Sequence, residues 1–384
     1  VSACRSLPHR AGDEACNLML GTQTIGVKYG FTDQTRLVET ASRIREMGSG
    51  ILKISLEPRY PEQYGMPAHE GVESLTDLVT LEPSFRHVFG MDFHTYFLWC
   101  YPFRGGTWAR EMDADAERRE YGEMYAFCSH LLTEYRNSGK RFFLGHWEGD
   151  WYLHPGYDPK KTPTDEAFAG MIKWLNVRQR AIDDAKREVG CHGVELYGYA
   201  EVNLVQKALE GGRCLTTDVL PHTNVDYVSY SAYDSLGPRD LDGLRRSLHA
   251  ALDCIEEHLP EKPGLPPGRR VLIGEYGYPL TTVSSPDEQA RLALQFSRVA
   301  LEWGCPYVLY WEFYCNEIND QGHRGFWLIN DRDQPQPLYH QLQAYYGDAR
   351  LFVERVQKRS GRLPPPEALR RFALAWLENV SRQP

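Results

Sequence analysis
Eight short apolar runs, each followed by a longer stretch, govern what this chain can fold into. The runs lie near residues 25–29, 51–56, 90–99, 142–147, 194–199, 226–230, 271–275 and 306–313. Each is too short for a helix and reads as a buried strand. Most of the stretches between them carry apolar residues at helical spacing. Leu37, Val38, Ala41, Ile44 and Met47 form one such stripe, with Thr32 as its expected cap and Gly48 as its stop. Met124, Cys128, Leu131 and Leu132 form another, opened by Asp113 and Asp115. Thr162-Pro163 opens a third, and Leu244, Leu248, Leu252 and Ile255 mark a fourth. Ser285-Pro-Asp-Glu288 is a capping box with proline at the first helical position. Residues 57–86, rich in proline and glycine, read as an elaborated loop, and only a short helix near 204–209 follows the fifth strand.

Strands alternating with helices imply parallel βαβ units, and eight of them close a (β/α)8 TIM barrel of the α/β class. An open doubly wound sheet would want a glycine-rich phosphate loop after the first strand, and no such motif is present. The expected division is an N-terminal segment over 1–17, the barrel over 18–359 and a C-terminal helical extension over 360–384, entered through Pro364-Pro-Pro366.

A net charge of −9 over 384 residues argues against nucleic acid or an anionic membrane as the main partner. No apolar run approaches the roughly 18 residues of a membrane span. The nine cysteines form no CxxC pair, so no metal site and no dense disulfide framework is signalled. A bridge between Cys4 and Cys16 is one possibility. Val1-Ser-Ala-Cys4 is similar to the end of a bacterial lipoprotein signal, and with it comes the expectation of a secreted, periplasmic or cell-surface protein. Asn379-Val-Ser381 fits a glycosylation acceptor. No cofactor is expected, and the oligomeric state is open.

Catalytic residues of such a barrel lie at the C-terminal ends of its strands. The seventh strand ends in Gly274-Glu-Tyr-Gly277, and the fourth runs into Trp147-Glu-Gly-Asp-Trp151. Glu275 alone could be explained by pairing with a lysine or arginine. Two glutamates on one rim, Glu148 and Glu275, suit glycoside cleavage: one carboxyl protonates the leaving oxygen while the other attacks the sugar or activates water. Asp150 and Glu312 are rival carboxylates nearby. Aromatic residues, among them Trp99, Tyr101, Phe103, Trp108, Trp151, Tyr152 and Tyr157, gather after strands three and four. Such rings stack on the apolar faces of sugars, or pack on one another.

With this strand order and these motifs, residues 18–345 resemble clan A glycoside hydrolases, retaining enzymes with the acid/base on strand four and the nucleophile on strand seven. The resemblance implies Glu148 as general acid/base and Glu275 as nucleophile. It implies Tyr233, in Ser231-Ala-Tyr-Asp234, as the strand-six tyrosine bonded to the nucleophile. It implies Trp311, in Tyr310-Trp-Glu312, as the floor of the sugar site, and more loosely His94 as a strand-three site histidine. The chain departs from the clan in having Trp147 where asparagine is usual, Lys53 where many members carry arginine, and Ser231 where histidine is common. Trp147, Lys53 and Trp151 complete the candidate substrate contacts. Trp311 could otherwise be barrel packing, and His94 and His146 satisfied core histidines. The expected activity is retaining hydrolysis of a neutral oligo- or polysaccharide. The rivals are a metal-dependent sugar isomerase or epimerase on the same barrel and a sugar-binding protein without catalysis.

Overall fold
Eight parallel strands close on themselves: β1 (Leu20–Gln23), β2 (Ile51–Leu56), β3 (Thr95–Cys100), β4 (Arg141–Gly145), β5 (Glu195–Val202), β6 (Tyr227–Ser231), β7 (Val271–Tyr276) and β8 (Val308–Tyr310). Closure is sequential, with β1 paired to β2 on one side and to β8 on the other. The structure, a computed structural model, describes residues 16–104 and 112–381. Cys4 with the segment around it, and Trp108, lie outside the described residues, as does any bridge from Cys4 to Cys16. Helices wrap the barrel, so the chain is a (β/α)8 TIM barrel with further helices at its C-terminal end.

Local chemistry fixes most boundaries. The helix Arg36–Met47 ends on Gly48 at φ 118°, a left-handed conformation that glycine adopts without Cβ strain. Its cap is Thr35, whose hydroxyl accepts from the Val38 amide, and not Thr32. Thr32 donates instead to Glu39, whose carboxylate also gathers the Phe31 and Thr32 amides and so folds the preceding loop back. Thr164, not Thr162, caps Asp165–Val189. Ser285 caps Pro286–Trp303 as expected, with Glu288 bonding back to Ser284.

Three expectations need correction. The first strand lies at Leu20–Gln23, not 25–29, because only there does the backbone find partners on both β2 and β8. Ile25 and Val27 are buried beyond the strand's end. Residues 57–86 are not an open loop: they hold the helices Tyr60–Tyr64 and Leu75–Leu81 and enter Pro83–Gly90. Side-chain caps from Ser74 and Glu82 start the latter two, a signal masked by the prolines around them. The fifth strand runs on to Val202, three residues past its expected end.

Alternation along each strand separates two apolar layers. Leu52, Ile54, Leu98, Leu144, Leu196 and Val228 face the surrounding helices. Phe97, Phe143, Tyr197, Tyr227, Leu272 and Tyr307 fill the barrel itself. Phe97 stacks on Phe143 with ring centroids 4.5 Å apart, and Tyr307 meets both edge-on. These aromatic rings make the lower barrel a packed plug, so only the upper rim is free to do chemistry.

β7 breaks the alternation. Tyr230 pairs with Ile273, but the next residue, Ser231, pairs with Glu275, so β7 carries one extra residue there. The register against β8 slips at the same place. Without this bulge Glu275 would point outward with Ile273. With it, Glu275 turns into the barrel mouth and Tyr276 points out, where it stacks on Phe296 at 4.3 Å.

The last two helices, Pro337–Ser360 and Pro366–Ser381, brace the closure. Tyr345 and Tyr346 donate their hydroxyls to the Leu18 and Leu20 carbonyls, clamping β1. Phe372 stacks on Phe352 and Trp376 meets Tyr345 edge-on.

Phe143 touches four rings of the plug. Phe143→Ala is expected to destabilise the fold by about 3–5 kcal/mol. Equilibrium urea unfolding measures this, and a loss under about 1 kcal/mol would mean that the plug is not close-packed.

Candidate active site
Lys53 stands at the centre of the mouth. It follows Ile51 in the inward parity of β2, and its side chain is 1% exposed. Its ammonium donates to Glu201 Oε2 at 3.0 Å, to Glu275 Oε1 at 3.1 Å and to the Gly274 carbonyl at 3.1 Å. Those three bonds use all the donors a lysine has. The ammonium also sits 4.6 Å from the centre of the Trp99 ring, whose face favours a cation. A sheet ladder alone would not bring β2, β5 and β7 to one point; one buried charge does.

Glu275 is thus both a mouth carboxylate and a lysine partner. The Tyr233 hydroxyl, on the turn after β6, donates to its Oε2 in a long bond of 3.5 Å. Burial pushes the Glu275 carboxyl up, to about 8, against the pull of Lys53. Gly274 is required by close approach: a Cβ there would lie 1.8 Å from the Ser229 hydroxyl and 3.1 Å from Glu201 Oε2.

Glu148 follows β4 and is 6% exposed. Its Oε2 accepts from the Trp151 indole at 2.5 Å, while no cation bonds it among the described residues. Burial, then the nearby charges of Glu275 and Glu201, hold its carboxyl well above the usual carboxylate range. The two glutamates therefore differ in kind. Glu275 has an ammonium and a phenol to stabilise its ionised form, whereas Glu148 has two negative neighbours that favour its protonated form.

Glu201, at the top of β5, was not among the expected residues. It is fully buried and uses both oxygens: Oε1 accepts the Glu148 amide at 3.1 Å, and Oε2 accepts Lys53 and the Ser229 hydroxyl, the latter at 2.7 Å. Its signal was the alternation Tyr197, Tyr199, Glu201, visible only if the strand is carried past Tyr199.

The aromatic wall is partly as expected. Trp311 lies above β8, with its ring 6.3 Å from Trp99 and its indole donating to Glu317 at 3.0 Å. Arg324 pairs with that same Glu317. Trp147 meets Tyr152 edge-on, and its amide donates to the Tyr101 hydroxyl. Trp99 is a strand residue of β3, inside the barrel rather than on the loop after it. Among the described residues its indole N–H finds no hydrogen-bond partner, and neither do the side-chain oxygens of Tyr199 and Ser231, two further residues of the inner parity.

His94 is corrected. It precedes β3 at the opposite end of the barrel, donating its amide to Gly50 and packing its ring on that glycine. The expectation read strand three too early, and the true strand begins one residue after the histidine. His146 is a core histidine. Its Nδ1 donates to the Trp147 carbonyl and its Nε2 accepts the Glu201 amide, so it is neutral and ties β4 to β5; burial lowers it to about 3. Asp150 is structural too, since it accepts the amides of Asn203, Leu204 and Leu215. Glu312 spends Oε1 on the Asn316 amide, and burial holds it well above the usual range. Among the described residues no group of three or more His, Cys, Asp or Glu is placed to hold a metal ion. The cation inside the carboxylate cluster is the chain's own Lys53.

No protein-family model matches the chain, and no curated protein matches it in sequence. Solved structures do share its fold. A GH5_18 enzyme from Streptomyces cattleya, determined with Manβ1-4GlcNAc, superposes with a TM-score of 0.57 at 13% identity over 95% of this chain and 91% of that one. A GH5_18 structure from Bifidobacterium longum subsp. longum gives 0.57 at 15% identity over 91% and 81%. A family 39 glycoside hydrolase from Bacteroides cellulosilyticus gives 0.54 at 14% identity; the match covers 87% of this chain and only 64% of that enzyme. At such identities the likeness carries the barrel, and the chemistry has to be argued from the site.

Because a Cβ at position 274 would overlap the Ser229 hydroxyl, Gly274→Ala is expected to cost about 1–3 kcal/mol of stability. It should also push Glu275 out of reach of Lys53. A crystal structure of the variant with the ion pair intact and Tm unchanged would contradict the bulge.

Proposed function
We propose that this chain is an O-glycoside hydrolase that works by retaining double displacement, with Glu275 as nucleophile and Glu148 as general acid/base. The observation that carries the reading is the unequal environment of two buried glutamates on one barrel rim. A carboxyl held by an ammonium and a phenol is aimed for attack, and both donors favour its ionised form against the burial that raises it. A carboxyl with negative neighbours and one indole donor keeps a proton to give to the leaving oxygen. The charge of Glu275 is felt at Glu148 across the buried mouth, as a cooperating pair of carboxyls requires. The sugar would lie against Trp311, with Trp99, Tyr199 and Ser231 offering unspent hydrogen-bonding groups. The fold neighbours include an exo-β-1,4-mannosidase from Opitutaceae bacterium strain TAV5 and the Streptomyces enzyme that holds Manβ1-4GlcNAc, so neutral β-linked glycosides head the substrate panel. Two carboxylates on one lysine, with the Glu148 carboxyl beside them, also disfavour an anionic sugar at the centre.

Glu148→Gln should cripple natural glycosides far more than aryl glycosides with good leaving groups, which need little protonation. Steady-state rates on both substrate types decide the point, and equal losses would remove Glu148 from the acid role. The wild-type kcat/KM profile should be a bell displaced upward. Activity needs Glu275 ionised, so it falls as pH drops through an ionisation that burial has raised. It also needs Glu148 protonated, so it falls again at higher pH.

Glu275→Ala should lose activity on the order of 10³-fold or more. Azide should restore part of it and give a glycosyl azide of inverted configuration. In the wild type, a fluorinated mechanism-based glycoside should label Glu275, as read by peptide mass spectrometry. A label on Glu312 or Asp150, or an inverted product from the wild type, would show that the nucleophile is misassigned.

A further inference from the structure
Glu201 touches neither the position of a reacting sugar nor solvent, yet it spends both oxygens on the catalytic pair. Oε1 takes the backbone N–H of Glu148, and Oε2 takes the ammonium that holds Glu275. Ser229, on β6, adds a third donor. The groups facing this residue are Lys53 from β2, His146, Glu148 and Tyr152 from the stretch after β4, Tyr199 from its own strand, and Glu275 from β7. Of these only Lys53 is cationic, because His146 is neutral with its Nε2 accepting the Glu201 amide.

We infer that Glu201 is a positioning residue whose fixed negative charge and two-sided hydrogen bonding keep Glu148 protonated while anchoring the lysine that orients Glu275. The inference rests on the glycosidase reading for its catalytic meaning, but the electrostatic link stands on the geometry of the mouth alone. Glu201 diverts part of the lysine's charge from Glu275 and repels a negative charge on Glu148. It thereby raises the pH at which each gives up its proton, in the same direction as burial. It also fixes the Glu148 backbone, so the acid cannot drift from the leaving oxygen without breaking a buried bond.

The test uses the whole chain with 13C-labelled glutamate carboxyls, followed by NMR across pH without any substrate. In Glu201→Gln the shape is kept and the charge removed. The titrations of Glu148 and Glu275 should both move to lower pH, by about one pH unit or more. Ser229→Ala keeps every charge but removes a positive dipole from Glu201, so both titrations should move slightly to higher pH. If the glutamine variant does not fold, the alanine variant alone decides. Titrations unchanged in every folded variant would reduce Glu201 to a structural brace and overturn the inference. On an active aryl glycoside, the kcat/KM bell of Glu201→Gln should move to lower pH with the titrations, and Glu201→Asp should return it toward the wild-type position. A wild type that cleaves no glycoside would sink the proposed activity and leave the titration result standing, so the two failures are told apart.

Discussion
A buried ammonium has to be neutralised inside the barrel, and the mouth is built around that requirement. Stripping a charge of water costs several kcal/mol unless partners replace the lost hydration. Lys53 finds two carboxylates, one carbonyl and the face of Trp99. Removing one partner of such a buried pair typically costs about 3–5 kcal/mol, because the other is left charged and alone. The arrangement therefore resists small displacements, which is what a site that must hold reacting groups needs.

The β7 bulge is the backbone counterpart of this charge. Strand alternation would have hidden Glu275 among the helices, against Phe296 and its neighbours. One extra residue reverses the parity of everything after it, and the glycine beside it lets Ser229 and Glu201 approach the backbone. An aromatic residue then takes the outward place, so the surrounding layer loses no packing. Turning a carboxylate inward and an aromatic outward is a single event in the chain.

Much of the barrel was legible because its signals are local. Gly48, Ser285-Pro286 and the leucine stripe of Leu241–Glu257 act within one or two helical turns. Glu148 and Glu275 were legible as strand-end carboxylates. What escaped depended on pairing. The first strand lies where β8 and β2 meet it, not where Ile25 and Val27 make the chain most strand-like. Glu201 was hidden because a charged residue after an apolar run looks like the point where the strand has already ended, and only Lys53, far away in sequence, makes its burial tolerable. His94 was misplaced because the run from residue 90 read as strand, whereas β3 begins only at Thr95 and leaves the histidine at its entry. Asp150 stood as a rival carboxylate because the three amides it accepts lie more than fifty residues further along the chain.

The distribution of the charge cluster around the ring also bears on how the protein assembles. Lys53 belongs to the first quarter of the barrel and Glu201 and Glu275 to the second half, while β1 cannot close until β8 arrives. A half-formed barrel would hold an ammonium on one side of its seam and two carboxylates on the other, each drawing water into what should be a dry interior. Such a form gains little from its partial burial, while the long loop closure that would join its charges has still to be made. Half-barrels of this protein are thus poor stopping points: the charges that shape the mouth make the ring favour being whole or open.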